Sequence, residues 1–489
     1  MSKKMGIITI KTVELNDDYL KKTVFNQLGN NEIPFISPTA QAAIKKYTGE
    51  GGREAAKELW KELLIDTICL LKLNDSREKV YSDIPIDDMK AFSEHFDQIR
   101  NRTSHGIDEL LLYYDDFVAY ESVLYGTEKY YRDHIEHVLQ VWGVGIGLIF
   151  EDNPVILNDI QHLKFNSEIR FHKENKGAPN VISQSELWAM WTIIALCHDL
   201  GYPIEKTSKI NQHVRKIISQ FGCLSFNELD FSFDLLNSFI VEKFINISSS
   251  KAMYIHGVQE HRTKIQHKFR DKFAKSLEDY KHGMFSGLLL FKKLVYFLET
   301  DYGPDDNPLS DEDLRQFMIR REILRAICGH TCPKIYHLDL NTLSFLLILC
   351  DEIQEWNRPR LAELLDHRLD NFVPTNCIKK FDVTNGDSNK CEVHIESNYG
   401  DVTLDPQKDT SLFEALVVKK FKNFNYLLRT AKDDTRRKIV FQWDILFSEI
   451  SYSFKLDSDE SALVTPITYK SITGVDGKVS QERFDLYTR

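Results

Sequence analysis

The stretch that decides the reading of this chain is Leu187-Trp188-Ala189-Met190-Trp191-Thr192-Ile193-Ile194-Ala195-Leu196-Cys197-His198-Asp199-Leu200-Gly201-Tyr202-Pro203. Leu187, Trp191, Ile194 and His198 succeed one another at steps of four, three and four, so a helix would set them on one stripe. His198 then projects from an otherwise apolar, inward face. Gly201 and Pro203 stop the helix just beyond Asp199. An adjacent histidine and aspartate at the buried end of a helix offer one nitrogen and one carboxylate to a metal ion. Alone the dipeptide is a weak signal, because a core histidine commonly needs no more than a hydrogen bond.

Two further segments carry the same kind of residue on the same kind of face. In Tyr131-Arg132-Asp133-His134-Ile135-Glu136-His137-Val138-Leu139-Gln140-Val141, helical spacing aligns both histidines with Val138 and Val141, which they would join in the interior. In Ser344-Phe345-Leu346-Leu347-Ile348-Leu349-Cys350-Asp351-Glu352-Ile353-Gln354-Glu355-Trp356-Asn357-Arg358-Pro359, Asp351 stands four after Leu347 and three after Ile348, so a carboxylate sits directly below an apolar stripe. A buried carboxylate needs a cation partner, which a metal ion or an arginine could provide.

Around these segments the chain reads as mainly α: a helical N-terminal region over 1–105, a helical domain over 106–372 that holds the chemistry, and a small α+β domain over 373–489. The clearest N-terminal helix is Glu54 to Leu73, after a short β-like opening near residues 6–10. Glu260, His261 and His267, with His256, read as a polar helix exposed to solvent. Beyond Pro374, Cys391 to Ile395 and Ile439 to Trp443 alternate like strands around a helical Leu412 to Ala431.

Bulk properties narrow the function classes. The chain has 489 residues with a formal charge of −11 and no long basic run, which argues against long duplex nucleic acid as a partner. The eight cysteines lie far apart, several inside apolar patterns, and read as reduced, packed thiols. Val141 to Phe150, the longest apolar stretch, is about half a bilayer span, and the first residues lack the apolar core of a signal peptide. A soluble cytoplasmic protein without a membrane partner is expected. No phosphate-cradling glycine loop, serine nucleophile elbow or zincin motif occurs. Cys328 and Cys332 flank His330 but lack the distant second pair of a zinc knuckle.

Taken in order, a histidine, a His-Asp pair and a final aspartate on separate helices resemble the HD superfamily of metal-dependent phosphohydrolases, over roughly residues 130–360. Arg132-Asp133-His134 with His137, Tyr280-Lys281-His282-Gly283 with Ser286, and Leu349 to Trp356 look like a branch of larger stand-alone bacterial proteins. The resemblance implies an all-helical HD core in which His137, His198, Asp199 and Asp351 hold one divalent cation, with Asp199 able to bridge to a second. Both His134 and His137 fit the spacing of the family's first histidine; His137 is favoured, with His134 as second ligand or general acid. His282, which precedes an apolar run Met284 to Leu298 read as one helix, and His330, which follows a helix opened by the capping-box pattern Ser310-Asp311-Glu312-Asp313, are the residues the resemblance offers to a second ion. An insertion near 152–183 is implied by the long spacing to His198.

The expected chemistry is hydrolysis of a phosphoester or phosphoanhydride in a nucleotide or short oligonucleotide, with one or two cations of Mn, Fe, Co, Ni, Zn or Mg. Asp199, His134 and Lys206 are the expected catalytic groups, and Lys206, Arg132 and Arg358 the cations placed for phosphate. The reading from another class is a non-catalytic HD module that senses a nucleotide or scaffolds partners. Self-association is a further expectation, since helical HD proteins often form homo-oligomers.

Overall fold

The structure is a computed structural model, and it describes residues 19–29, 36–75, 105–127, 133–150, 184–222, 238–255, 260–299, 308–332, 342–354, 375–384, 390–399, 438–446, 451–457 and 467–471. After a π-helical turn, Leu20–Phe25, and a short turn of helix, Asn26–Gly29, the helices that matter for the site are α1 (Pro38–Gly49), α2 (Arg53–Asp75), α3 (Ile107–Thr127), α4 (Ile135–Phe150), α5 (Gln184–Cys197), α6 (Tyr202–Ser219) and α7 (Ser238–Ser249). A hairpin of β1 (Ser250–Ile255) and β2 (Glu260–Ile265) follows, then α8 (His267–Glu278), α9 (His282–Lys293), α10 (Val295–Leu298), α11 (Asp311–Gly329) and α12 (Leu343–Ile353). The last described elements are strands β3 (Thr375–Thr384), β4 (Lys390–Asn398), β5 (Lys438–Leu446), β6 (Ser451–Asp457) and β7 (Ile467–Ser471).

The mainly helical class expected from the sequence holds. Helix α5 is the central element: it packs on α2, α4 and α11, and Leu187, Trp188, Ala189, Met190, Trp191, Ile193, Ile194, Ala195 and Leu196 are all buried. Because it is enclosed all round, its apolar residues are not confined to one stripe. Tryptophan ties fix its seat on α4. Trp191 Nε1 donates to the Trp142 carbonyl at 3.0 Å, and Trp142 Nε1 donates to Thr192 Oγ1 at 2.9 Å. Gly145 permits this crossing, since a Cβ there would stand 2.0 Å from the Trp191 ring.

Helix ends follow local rules. Asp133 Oδ1 accepts the backbone N–H groups of Ile135 and Glu136 at 3.0 and 2.9 Å and so starts α4. Ser310 and Asp313 form the expected capping box at the start of α11, and His330 is the residue that ends that helix. Three readings need correction. The apolar run Met284 to Leu298 is broken at Leu294, whose extended backbone (φ −87°, ψ 117°) separates α9 from α10.

The region expected to be helix after helix contains the β1–β2 hairpin, paired from Ser250↔Ile265 to Ile255↔Glu260. Glu260 and His261 are therefore strand residues, and His267 opens α8; His256 lies outside the described residues. Tertiary partners override the local helical reading here. Arg325 donates to the Ser248 and Ser250 carbonyls at 2.7 and 2.5 Å, and His261 bridges to Leu309.

The C-terminal strands form one mixed sheet in the order β3-β4-β5-β6-β7, with β4 and β5 parallel and the other pairs antiparallel. The alternating runs at 391–395 and 439–443 are thus strands, as expected. The residues near 6–10, the implied insertion 152–183 and the expected helix 412–431 lie outside the described residues. Among the described residues no helix is long and apolar enough to cross a membrane, and Cys69, Cys197, Cys328, Cys332 and Cys350 are free and buried.

Candidate metal centre

The centre is built on the turn that follows α5. His198 and Asp199 sit just past the last residue of the helix, Cys197, and three side chains from other elements hold the turn. Trp60 of α2 donates its indole N–H to the Leu196 carbonyl at 2.8 Å, and Tyr113 of α3 donates its hydroxyl to the Leu200 carbonyl at 2.6 Å. Ser286 of α9 donates to the His198 carbonyl at 2.6 Å and accepts from the Gly201 N–H at 2.7 Å. Buried backbone groups are thereby satisfied while the two side chains stay aimed inward.

Asp199 lies at the middle, with its two oxygens facing different sets of imidazoles. Oδ2 is 3.3 Å from His198 Nε2, 3.8 Å from His137 Nε2 and 3.9 Å from His134 Nε2. Oδ1 is 3.2 Å from His282 Nε2 and 3.7 Å from His330 Nε2. Asp351, from the last turn of α12, approaches the first group: its Oδ1 is 2.9 Å from His137 Nε2 and 3.9 Å from His198 Nε2. Three overlapping sets have ligand atoms within 4.8 Å of one another: His137, His198 and Asp199; His198, His330 and Asp351; Asp199, His282 and His330. These buried histidine and aspartate groups could hold a metal ion.

Each imidazole that faces Asp199 in these sets is anchored through Nδ1. His198 Nδ1 donates to the Ala195 carbonyl at 2.8 Å, His330 Nδ1 to the Ile327 carbonyl at 2.6 Å, and His137 Nδ1 to Gln354 Oε1 at 2.5 Å. His282 Nδ1 is 2.7 Å from the Glu205 carboxylate, which also accepts the His282 backbone N–H at 2.9 Å. With Nδ1 occupied, every Nε2 is presented to the centre, as metal-binding imidazoles require.

Two observations test whether a cation fits this set. Donors about 2.1 Å from one ion stand about 3.0 to 4.2 Å apart, and the spacings above span 2.9–3.9 Å. Such spacings would also suit protonated imidazoles, but the buried His198 Nε2 makes no hydrogen bond of good geometry, although Asp199 Oδ2 is 3.3 Å away. A buried ring nitrogen left so is costly unless something coordinates it.

The electrostatics fit the same picture. Burial alone would lower the His198 imidazole, yet Asp199 and then Asp351 overcome it and push the group up to about 10. For His282, burial is likewise outweighed, by Asp199 and Glu205, and it rises to about 9. Burial would raise Asp199, but His198, His282 and His330 together keep its carboxyl well below the ordinary range. Asp351 is held down by His137 and His198 against the same burial. Burial lowers His330, only partly opposed by Asp199. The neighbouring carboxylates thus favour the charged form of His198 and His282, whereas burial prevails at His330.

Close approach of the His-Asp turn to α9, and of α9 to α11, depends on two glycines. A Cβ at Gly201 would stand 2.2 Å from the His282 carbonyl oxygen, and one at Gly283 would stand 2.5 Å from the Ile327 carbonyl and 2.9 Å from His330 Cε1. They let three segments meet at one point.

His137, His198, Asp199, Asp351, His282 and His330 therefore come together. His134 stands beside them: its Nδ1 is 3.1 Å from Glu121 Oε1, its backbone N–H donates to the same oxygen, and Arg53 holds the other Glu121 oxygen at 2.6 Å. The sets that could hold a metal include His137 and not His134. Lys206 is buried with its ammonium 4.6 Å over the Tyr202 ring, which touches both His134 and His282, so one aromatic ring separates it from the cluster. Arg132 and Arg358 lie outside the described residues.

Sequence reasoning gave no role to Glu205, Glu121, Gln354 or Tyr202. Gln354 was within reach, being three residues after Asp351 on a helical repeat. No spacing rule could pair Glu205 with a histidine 77 residues later or Glu121 with one 13 later. A scan against protein-family models and searches of curated proteins and of solved structures each return no match. What defines the class of site is its own geometry: a buried imidazole and carboxylate cluster among helices that could bind metal, compatible with an HD domain.

Proposed function

We propose that the chain is a metal-dependent phosphohydrolase of the HD type, cleaving a phosphoester or phosphoanhydride of a nucleotide or short oligonucleotide. The observation that carries this reading is Asp199, whose two oxygens face His137 and His198 on one side and His282 and His330 on the other. A carboxylate set between two imidazole groups suits a pair of divalent cations. In this reading His137, His198, Asp199 and Asp351 hold one ion, and Asp199, His282 and His330 the other. Imidazole and carboxylate donors together suit Mn, Fe, Co, Ni or Zn better than Mg.

A bound divalent cation supplies Lewis acidity, giving a water-derived nucleophile near neutral pH and offsetting charge on phosphoryl oxygens. The chain's own residues supply the rest. Asp199 orients the reacting region between its two imidazole groups, and the anchored Nδ1 atoms keep each ring from turning. His134, with Nδ1–H held by Glu121, would as an imidazolium carry a proton on Nε2 toward a leaving oxygen. Lys206, together with Arg132 and Arg358, is proposed to meet phosphate. The acidic balance of the chain favours a small substrate over long nucleic acid.

The test is elemental analysis of purified protein joined to a panel of nucleotides, cyclic phosphodiesters and short oligonucleotides with added manganese. Metal in the wild type, product release from part of the panel, and loss of both in Asp199→Ala support the proposal. A wild type that holds metal but turns over nothing favours the sensing or scaffolding reading. Absence of metal, with identical behaviour of Asp199→Ala, removes the reading altogether.

A further inference from the structure

The four anchored imidazoles differ in one respect. His137, His198 and His330 place Nδ1 on neutral oxygens, those of Gln354, Ala195 and Ile327. Only His282 places Nδ1 on a carboxylate, that of Glu205, at 2.7 Å. The same Glu205 oxygen accepts the His282 backbone N–H, so ring and main chain are fixed together at the first residue of α9.

The two sides of Asp199 are also unequal in charge. The side of His137 and His198 has a second carboxylate at hand, Asp351, 2.9 Å from His137 Nε2. Among the described residues, the group on the side of His282 and His330 contains one carboxylate, the shared Asp199, while Asp351 stands within 4.8 Å of His330 but contacts His137 and His198. A dication there would be poorly compensated by its direct partners. Glu205 brings a negative charge one imidazole away and strengthens Nε2 as a donor by accepting the Nδ1 proton, as a carboxylate behind a metal-bound histidine does. Glu205 itself is held in place by the helix: it lies in the first turn of α6, directly after the His-Asp turn.

Resting on the two-cation reading above, we propose that Glu205 is the positioning residue of the second cation, setting the affinity of the Asp199, His282 and His330 side and leaving the other side untouched. Glu205 does not touch the ion in this arrangement; it acts through His282. A purely structural role would instead disturb both sides together, since α6 and α9 carry the same turn.

The experiment is calorimetric titration of the metal-free, full-length chain with Mn²⁺, compared for wild type, Glu205→Gln, Glu205→Ala and His282→Gln, with circular dichroism to check folding. The wild type is expected to take two ions per chain. Glu205→Gln, which keeps an acceptor oxygen but removes the charge, should bind one ion as before and the other about 10-fold more weakly; Glu205→Ala should weaken it toward about 100-fold. His282→Gln should show the same selective loss. The proposal is overturned if folded Glu205→Gln and Glu205→Ala bind both ions as the wild type does, if both ions weaken alike, or if the wild type takes only one. A wild type that takes no ion fails the metal reading itself, whereas two ions indifferent to Glu205 fail this inference alone. Should Glu205→Ala not fold, the near-isosteric Glu205→Gln decides.

Discussion

A methyl group on Gly201 would stand 2.2 Å from the His282 carbonyl oxygen and 2.7 Å from the Ser286 amide nitrogen, both of them backbone atoms that cannot swing away. Gly201→Ala should therefore push α9 off the His-Asp turn. The expected cost is about 1–3 kcal/mol, with reduced manganese content by elemental analysis. Gly49→Ala is the control, because nothing lies within 4 Å of its Cβ position, and chemical denaturation should show it neutral or slightly stabilising. Ser286 is a second residue on which the turn depends. Ser286→Ala leaves the buried Gly201 N–H without its acceptor, a loss of about 1–3 kcal/mol measurable by urea unfolding.

At the scale of elements, the site needs α5 and α11 to hold their relative position, because one leads into His198 and Asp199 and the other ends at His330. Besides apolar packing, a buried ion pair between Glu186 of α5 and Arg315 of α11 joins them. Burial pushes the Arg315 guanidinium down to about 10, with Asp75 opposing. Removing one partner leaves the other's buried charge with weaker compensation, so Arg315→Met should destabilise, by up to about 3–5 kcal/mol. Combining it with Glu186→Gln should recover a large part of that loss. A double-mutant cycle in urea checks this, and additive losses would show that the pair is not coupled. The β1–β2 hairpin belongs to the same scale. Residues 250–265 carry many polar side chains and no strong alternation, and the strand state follows from partners on α11 rather than from the local sequence.

For the whole molecule, a cation that binds only the folded state raises stability by mass action, about 2.7 kcal/mol at 100 times its dissociation constant. Added Mn²⁺ should raise the Tm of the metal-free chain, and a chelator should reverse the rise. Asp199→Ala should remove the response, because its side chain serves both sides of the centre. A thermal shift in Asp199→Ala equal to that of the wild type would place the bound manganese elsewhere.

Helical periodicity and capping signals make the helical class, the inward stripe of α5 and the capping box of α11 legible, and they put His198, Asp199 and Asp351 on buried faces; His282 and His330 enter through the family resemblance, and His134 and His137 stay alternatives. Apolar periodicity reports which face of a helix is buried, and a titratable residue on such a face needs a partner. Tertiary structure alone decided which partner. It set His137 among the groups that could hold a metal and tied His134 to Glu121, although both histidines lie on the same inward face. It also gave His282 a carboxylate from another helix and broke a long apolar run at Leu294. Periodicity is a property of near neighbours in the chain, whereas these contacts join residues far apart in sequence, whose meeting depends on how α4, α5, α6, α9, α11 and α12 pack.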